Sequence, residues 1–270
     1  MASSLLESDL EGILSSAFSS ADELVVVDPS VDTIVSIADA DVDWEDTPRL
    51  LVLADEDVLK EALETFPVAS TIAELLDREA LSIRTLEAPV ENSLFVSENR
   101  VLAIVGTDDR IAALSTDEAE FVDAVASSYW DRFEDAPAYR IRTPAIGRVR
   151  ETMAEALGTE MQEDFDAVLS AVASGDVDES VLDAVTIALL VAARNEVLLY
   201  DLSKWGEDVG IASKATFSRT KTSLEDHGLI DTEKVPIDVG RPRLRLKIGD
   251  DRLRDLPPDR FAATAADILS

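Results

Sequence analysis

The chain of 270 residues contains no cysteine. That absence excludes disulfide frameworks, thiol nucleophiles and thiolate metal sites together, and it fits a reducing interior. There is one histidine, His227, so histidine-dependent triads elsewhere in the chain are excluded. It sits beside Gly228 at the end of a helical pattern and reads as a helix-end residue rather than a catalyst. The 10 glycines are scattered, without the spacing of a phosphate loop or a dinucleotide-binding turn. No apolar run approaches the roughly 20 residues needed to span a bilayer. The N-terminus also lacks the basic start and apolar block of a secretory signal. A cytoplasmic protein with no membrane partner is expected. Lysine is scarce as well, with six residues against 18 arginines.

What is present is acid. Asp and Glu number 56 against 24 Lys and Arg, giving a net charge of −32 and a pI near 4.1. The apolar fraction of 46% supports real cores, so global disorder is not expected. The acid is spread over all helical stretches rather than gathered in a tail, which suits a solvated surface adapted to high salt. Such self-repulsion is tolerable where salt screens it, the Debye length shrinking to about 3 Å at 1 M. The distribution is uneven. Residues 1–193 hold 42 acids and 11 bases, whereas residues 194–270 hold 14 acids and 13 bases. Five of the six lysines (Lys204, Lys214, Lys221, Lys234 and Lys247) fall in the second part. A neutral island in an acidic chain is a relative basic patch, the electrostatic footprint of phosphate contact.

Along the chain, residues 3–20 read as a short amphipathic helix. Apolar runs of strand length follow at Leu24 to Val27, Leu50 to Leu53, Leu81 to Leu86, Leu94 to Val96 and Val101 to Val105, with helical patterns between the early ones. Ser97 to Arg100 looks like a hairpin turn, and Thr116 like the cap of a helix from Asp117 to about Phe133. The pattern predicts an α/β regulatory or sensor-like domain over 1–135, a mixed sheet sandwiched by helices. Residues 136–177 read as a linker followed by two amphipathic helices stopping at Gly158 and Gly175, which either pack on the next module or form a dimer seam. Residues 178–250 predict a C-terminal winged helix-turn-helix. A helix apolar almost all round (Val181 to Ala193) precedes a shorter one with Leu198, Leu199, Leu202 and Trp205 inward. A recognition helix then spans 213–227, and two short strands are joined through a tip at 238–242. Residues 251–270 add a tail helix.

On a helical wheel of about 100° per residue, Phe217 and Leu224 point to the core with Thr220 beside them. Ala215, Arg219 and Thr222 lie opposite, flanked by Thr216, Ser218 and Ser223. This outward face is small and hydroxylic with one arginine, so it can approach base edges closely. Arg219 can bond guanine bidentately, and the hydroxyls can reach phosphate or base edges. Ser213 opens the helix and Lys214 follows where the dipole favours phosphate; Lys221 falls nearer the core flank. In the hairpin, Arg241 at the tip is the candidate for backbone or minor-groove contact, with Arg243 second. Arg245 and Lys247 either contact DNA or offset Asp231 and Glu233 across the hairpin. The strand-end acids Asp28 and Asp55 suggest a phospho-acceptor site only with a distant lysine, and the N-terminal domain has Lys60 alone, inside the next helix. No enzyme, cofactor or metal is expected.

The run Arg194 to Gly249, RNEVLLYDLSKWGEDVGIASKATFSRTKTSLEDHGLIDTEKVPIDVGRPRLRLKIG, resembles the C-terminal half of the TbsP-type transcriptional regulators of haloarchaea. The preceding α/β segment is similar in general layout, including the LVVVDPS start at Leu24. The resemblance implies a transcription factor with an N-terminal regulatory domain and a C-terminal winged helix. The expected partners are double-stranded promoter DNA, a second copy in a homodimer, and a possible small-molecule effector. The competing expectation is a protein-interaction module that docks a component of the transcription machinery through the winged helix.

Overall fold

The computed structural model describes residues 3–5, 10–18, 22–40, 42–44, 46–86, 88, 90–107, 110–173, 181–236 and 242–269. The chain divides into two compact units, Met1–Glu64 with Thr71–Ile141, and Thr65–Ser70 with Arg142–Ser270.

The first unit is built on a seven-stranded sheet of order β1-β7-β6-β5-β2-β3-β4. Its parallel half comprises β2 (Glu23–Val27), β3 (Arg49–Ala54) and β4 (Leu81–Thr85), linked by α2 (Val31–Asp39), α3 (Glu56–Ala62) and α4 (Phe66–Asp77). β2 and β3 are runs of Val and Leu buried on both faces, as strands covered on both sides must be. The outer β4 instead alternates Leu81 and Ile83, both buried, with partly exposed Ser82 and Arg84. The antiparallel half is β5 (Ser93–Val96), β6 (Val101–Thr107), β7 (Arg110–Thr116) and β1 (Ser3–Leu5). The turn expected at Ser97 to Arg100 joins β5 to β6, with Ser97 N–H donating to the Arg100 carbonyl at 2.9 Å. α5 (Ala119–Asp135) packs on this sheet through Val122 and Phe133, against Val25, Val27, Leu51, Leu53, Val96 and Val101.

Three local expectations change. The helix over 3–20 becomes a strand at Ser3–Leu5 followed by α1 (Leu10–Phe18), the residues between them lying outside the described set. Pairing with β7 satisfies backbone groups that a bare sheet edge would leave open. β7 itself was not expected. Thr116 ends it, and the cap of α5 is Glu118, whose carboxylate accepts the Phe121 N–H at 2.8 Å.

The second unit is helical. α6 (Ile146–Leu157) and α7 (Thr159–Ala171), expected as linker helices, bury Ile146, Val149, Met153, Met161, Phe165 and Val168 in the unit's core. The expected helix stop at Gly175 lies outside the described residues. α8 (Ala184–Arg194) is buried at every position from Ala184 to Ala193, and Asp183 caps it by accepting the Thr186 N–H at 2.7 Å. α9 (Leu199–Val209) and α10 (Lys214–Asp226) pack on it, followed by the hairpin β8 (Ile230–Val235) and β9 (Arg243–Ile248). Leu198 pairs with Arg245 as a bridge on the free edge of β9, and the Leu246 N–H donates to the Val197 carbonyl at 3.0 Å. That order is the winged helix-turn-helix plan. α11 (Pro258–Leu269) closes the core with Phe261, Ala262 and Ala265. Arg194 ties it in, reaching Asp164 of α7 at 3.0 Å and the Leu256 carbonyl at 2.6 Å while its guanidinium lies 5.5 Å from the Phe261 ring. Among the described residues no helix is long and apolar enough to cross a membrane.

Candidate nucleic-acid interface

The position of α10 is set by two contacts. Phe217 and Leu224 are its buried residues, and Phe217 lies so close to α9 that a Cβ on Gly206 would fall 2.3 Å from its ring. Gly206 is therefore the point where α9 lets α10 approach. The turn between them uses Gly210 at φ 97°, left-handed backbone that glycine adopts without strain, and the Ile211 N–H donates to the Gly206 carbonyl at 2.8 Å. From α6, Thr152 accepts the Trp205 indole N–H at 3.0 Å, holding α9 from behind.

With Phe217 and Leu224 inward, the opposite face of α10 is open. Ser213, Lys214, Ala215, Ser218, Arg219, Thr222 and Ser223 are exposed, and Thr216 is half-buried. Ser213 caps the helix, its hydroxyl accepting the Thr216 N–H at 3.2 Å and lying 3.0 Å from the Thr216 hydroxyl. Thr222 donates its hydroxyl to the Ser218 carbonyl at 3.0 Å. Arg219 reaches the Thr216 hydroxyl at 3.5 Å, and no carboxylate lies within ion-pair distance of it among the described residues. Lys221 sits on the core flank, paired with Glu225 at 2.6 Å and largely buried. His227 is the helix cap residue, its Nδ1 lying 2.7 Å from the Ser223 carbonyl.

The hairpin tip expected at 238–242 lies outside the described residues up to and including Arg241. Arg243 is half-buried rather than free: its guanidinium lies 3.2 Å from Asp201 and stacks 4.2 Å from the centre of the Tyr200 ring. Lys247 pairs with Glu233 at 2.9 Å and Glu196 at 3.8 Å, so for this residue the offsetting role is present. Arg245 stands opposite Glu233 in register and makes no ion pair among the described residues.

The outward wheel of α10 shows nothing of the neighbour beside it. Leu199, Tyr200 and Ser203 of α9, Lys214 and Ser218 of α10, and Pro242 to Leu244 of the hairpin line an open cleft of about 470 Å³. Tyr200 is 47% exposed, a large ring open to solvent beside Leu199. One sequence signal pointed to it: an aromatic four residues before Lys204 on the side of α9 away from Leu202 and Trp205. No sequence pattern marks Glu207. Its carboxylate is bonded to Lys214 Nζ and stands 3.4 Å from the Lys214 backbone N–H. That bond holds Glu207 below the ordinary carboxylate range and raises Lys214 above the ordinary amine value.

In the first unit, Asp55 is the cap of α3, accepting the Asp57 N–H at 2.8 Å. Asp28 has left-handed backbone at φ 47°, and burial, then the charge of Asp55, push its carboxyl above the ordinary range. Among the described residues no three carboxylates or histidines gather as a metal site would need.

The chain matches two family models, "Transcriptional regulator TbsP-like, N-terminal" over residues 2–144 and "Transcriptional regulator TbsP-like, C-terminal HTH domain" over residues 145–266. No curated protein matches it. One solved structure with a similar region is that of TrmBL2, an archaeal chromatin protein described as showing a novel mode of DNA binding. The match has 12% identity and a TM-score of 0.35, and it covers 51% of this chain and 54%, about half, of that one. At that level it carries no argument about this molecule. The family models carry it instead: between them they run nearly end to end, and the chain belongs to the TbsP-like family of transcriptional regulators, with its helix-turn-helix in the C-terminal part.

Proposed function

We propose that this regulator binds DNA sequence-selectively, with α10 in the major groove and the hairpin tip on the backbone or in the minor groove. The observation that carries the reading is the open face of α10: small and hydroxyl side chains around Arg219, a cation without a carboxylate partner among the described residues. Such a face fits a groove closely and offers guanine a bidentate donor. Ser213, Thr216, Ser218, Thr222 and Ser223 would supply phosphate or base-edge bonds, and Ala215 leaves room for approach. Arg241 and, second, Arg243 would contact the duplex outside the major groove. In this reading residues 178–250 bind the promoter and residues 1–135 carry the regulatory input.

The test is selective binding in molar KCl, where counterion release contributes little. Arg219→Ala is expected to abolish the preference for operator over random DNA, and Arg241→Ala to weaken both about equally. Equal losses for operator and random DNA in both variants would overturn the assignment of roles. Capture of a transcription-machinery protein without selective DNA binding would overturn the reading itself.

We also infer a homodimer, since two copies present paired recognition helices to a two-fold site. α6 and α7 bury their apolar faces within their own unit, which favours a seam elsewhere. On the first unit Val105, Leu114 and Phe121 are about half exposed. The groove beside Leu114 and Phe121, which also takes in Leu94, Val101, Ala103 and Val125, has no charged side chain in its described lining. Two chains of net charge −32 meet at least cost where carboxylates are absent. Leu114→Glu is expected to give a monomer by light scattering; a variant still dimeric, or a monomeric wild type, removes this seam.

A further inference from the structure

Two of the bases placed to meet DNA are already occupied by acids of the same chain. Lys214, first residue of the recognition helix, is held by Glu207 through both its ammonium and its backbone N–H. Arg243, first residue of β9, is held by Asp201 at 3.2 Å and by the Tyr200 ring. Both acids come from α9, the helix that precedes the recognition helix, and neither is required to cap it: α9 begins at Leu199 without a side-chain cap bond and ends on Gly210. Arg219 differs from both in having no acid partner among the described residues.

We propose that Glu207 and Asp201 compete with DNA phosphate for Lys214 and Arg243, and so set how tightly and how salt-dependently this interface holds phosphate. This rests on the DNA-binding reading above. A phosphate reaching Lys214 must displace the Glu207 carboxylate, so the lysine adds little to loose, sequence-independent binding. The cost of that displacement is the same on operator and on random DNA, so the pair tempers the affinity for both. The exchange also changes the ion balance. A free lysine neutralising a phosphate releases a condensed counterion. A lysine handed over from Glu207 releases the same ion, but leaves a carboxylate that gathers one. The net release is smaller, and the affinity falls less steeply with salt. A strongly acidic regulator would thereby lose less of its binding as salt rises, while selectivity stays with Arg219 and its neighbours.

The experiment compares full-length wild type, Glu207→Gln and Glu160→Gln by fluorescence anisotropy on operator and random duplexes across a KCl series. Glu160 is an exposed acid of α7 with no ion pair among the described residues, so its variant controls for the loss of one negative charge. Glu207→Gln is expected to bind operator and random DNA alike about three- to fivefold more tightly at low salt, the range that a weak exposed pair allows. Its ratio of operator to random binding should stay as in wild type, and its salt slope should steepen by up to about one ion. In a Lys214→Gln background the same substitution should do no more than Glu160→Gln does, because no lysine remains to be freed. Glu207→Gln behaving as Glu160→Gln does, or acting equally without Lys214, overturns the inference while leaving the DNA-binding reading in place. A wild type that binds no DNA selectively overturns both.

Discussion

α8 and α10 are helices of similar length in one unit, and they dispose of their surfaces in opposite ways. α8 buries Ala184 to Ala193 without a break, whereas α10 buries Phe217 and Leu224 and, apart from Lys221 on their flank, leaves the rest open or half-open. The first is scaffold, its sides covered by neighbouring elements of the core. The second is held by two anchors on one stripe, which leaves a whole face for another molecule. The difference teaches where substitution should act on folding and where it should act on binding.

The sharpest way to break the contrast is to cut an anchor. Phe217→Ala empties a fully buried site and should cost about 3–5 kcal/mol of stability, read as a lower denaturation midpoint, with DNA binding lost as α10 comes away from α9. Gly206→Ala attacks the same contact from the other side. Its Cβ would meet the Phe217 ring at 2.3 Å, and the overpacking should cost about 1–3 kcal/mol, less what alanine gains in a helix. A variant as stable as wild type would show that α10 can shift without consequence.

On the open face the expected cost moves from stability to recognition. Arg219→Lys keeps the charge but loses the planar fork. It should leave the thermal midpoint within the roughly 0.5 kcal/mol typical of exposed sites and reduce the preference for operator over random DNA by about tenfold. Unchanged selectivity would mean that Arg219 acts as a point charge on phosphate. The smallest effect belongs to the other unit, where Asp28 holds left-handed backbone with a carboxyl raised by burial and by Asp55. A carboxyl whose folded value is raised lowers stability above that value, and the penalty disappears as pH falls below the ordinary 3.8. Asp28→Asn should therefore stabilise slightly at neutral pH, by no more than about 0.5 kcal/mol, and not at all in acid. Asparagine also tolerates the left-handed region. Equal stabilisation at both pH values would place the gain in the backbone rather than the charge.

Elements whose character is local were legible in the chain. The Val and Leu runs of β2 and β3, the unbroken apolar stretch of α8, and the Phe217–Leu224 stripe with its capping Ser213 all declare themselves within one or two turns of sequence. β7 did not, because Ala112, Ala113 and Ser115 blunt the alternation that marks a strand; its identity comes from register with β6. β1 is strand only because β7 offers an edge more than 100 residues away in sequence. The linker reading of α6 and α7 likewise depended on knowing what covers their apolar faces.

The open face of α10 divides along the same line. A helical wheel determines which side chains of α10 share a face, since the 3.6-residue period is a property of the backbone alone, and so the outward set around Arg219 follows from sequence. The same wheel cannot say which cations on that face are already neutralised. Glu207 lies seven residues before Lys214 and Asp201 lies 42 before Arg243; they meet only once α9 turns at Gly210 and β9 folds back beside it. Charge pairing across a fold is a matter of distance, and distance between elements is decided by tertiary packing.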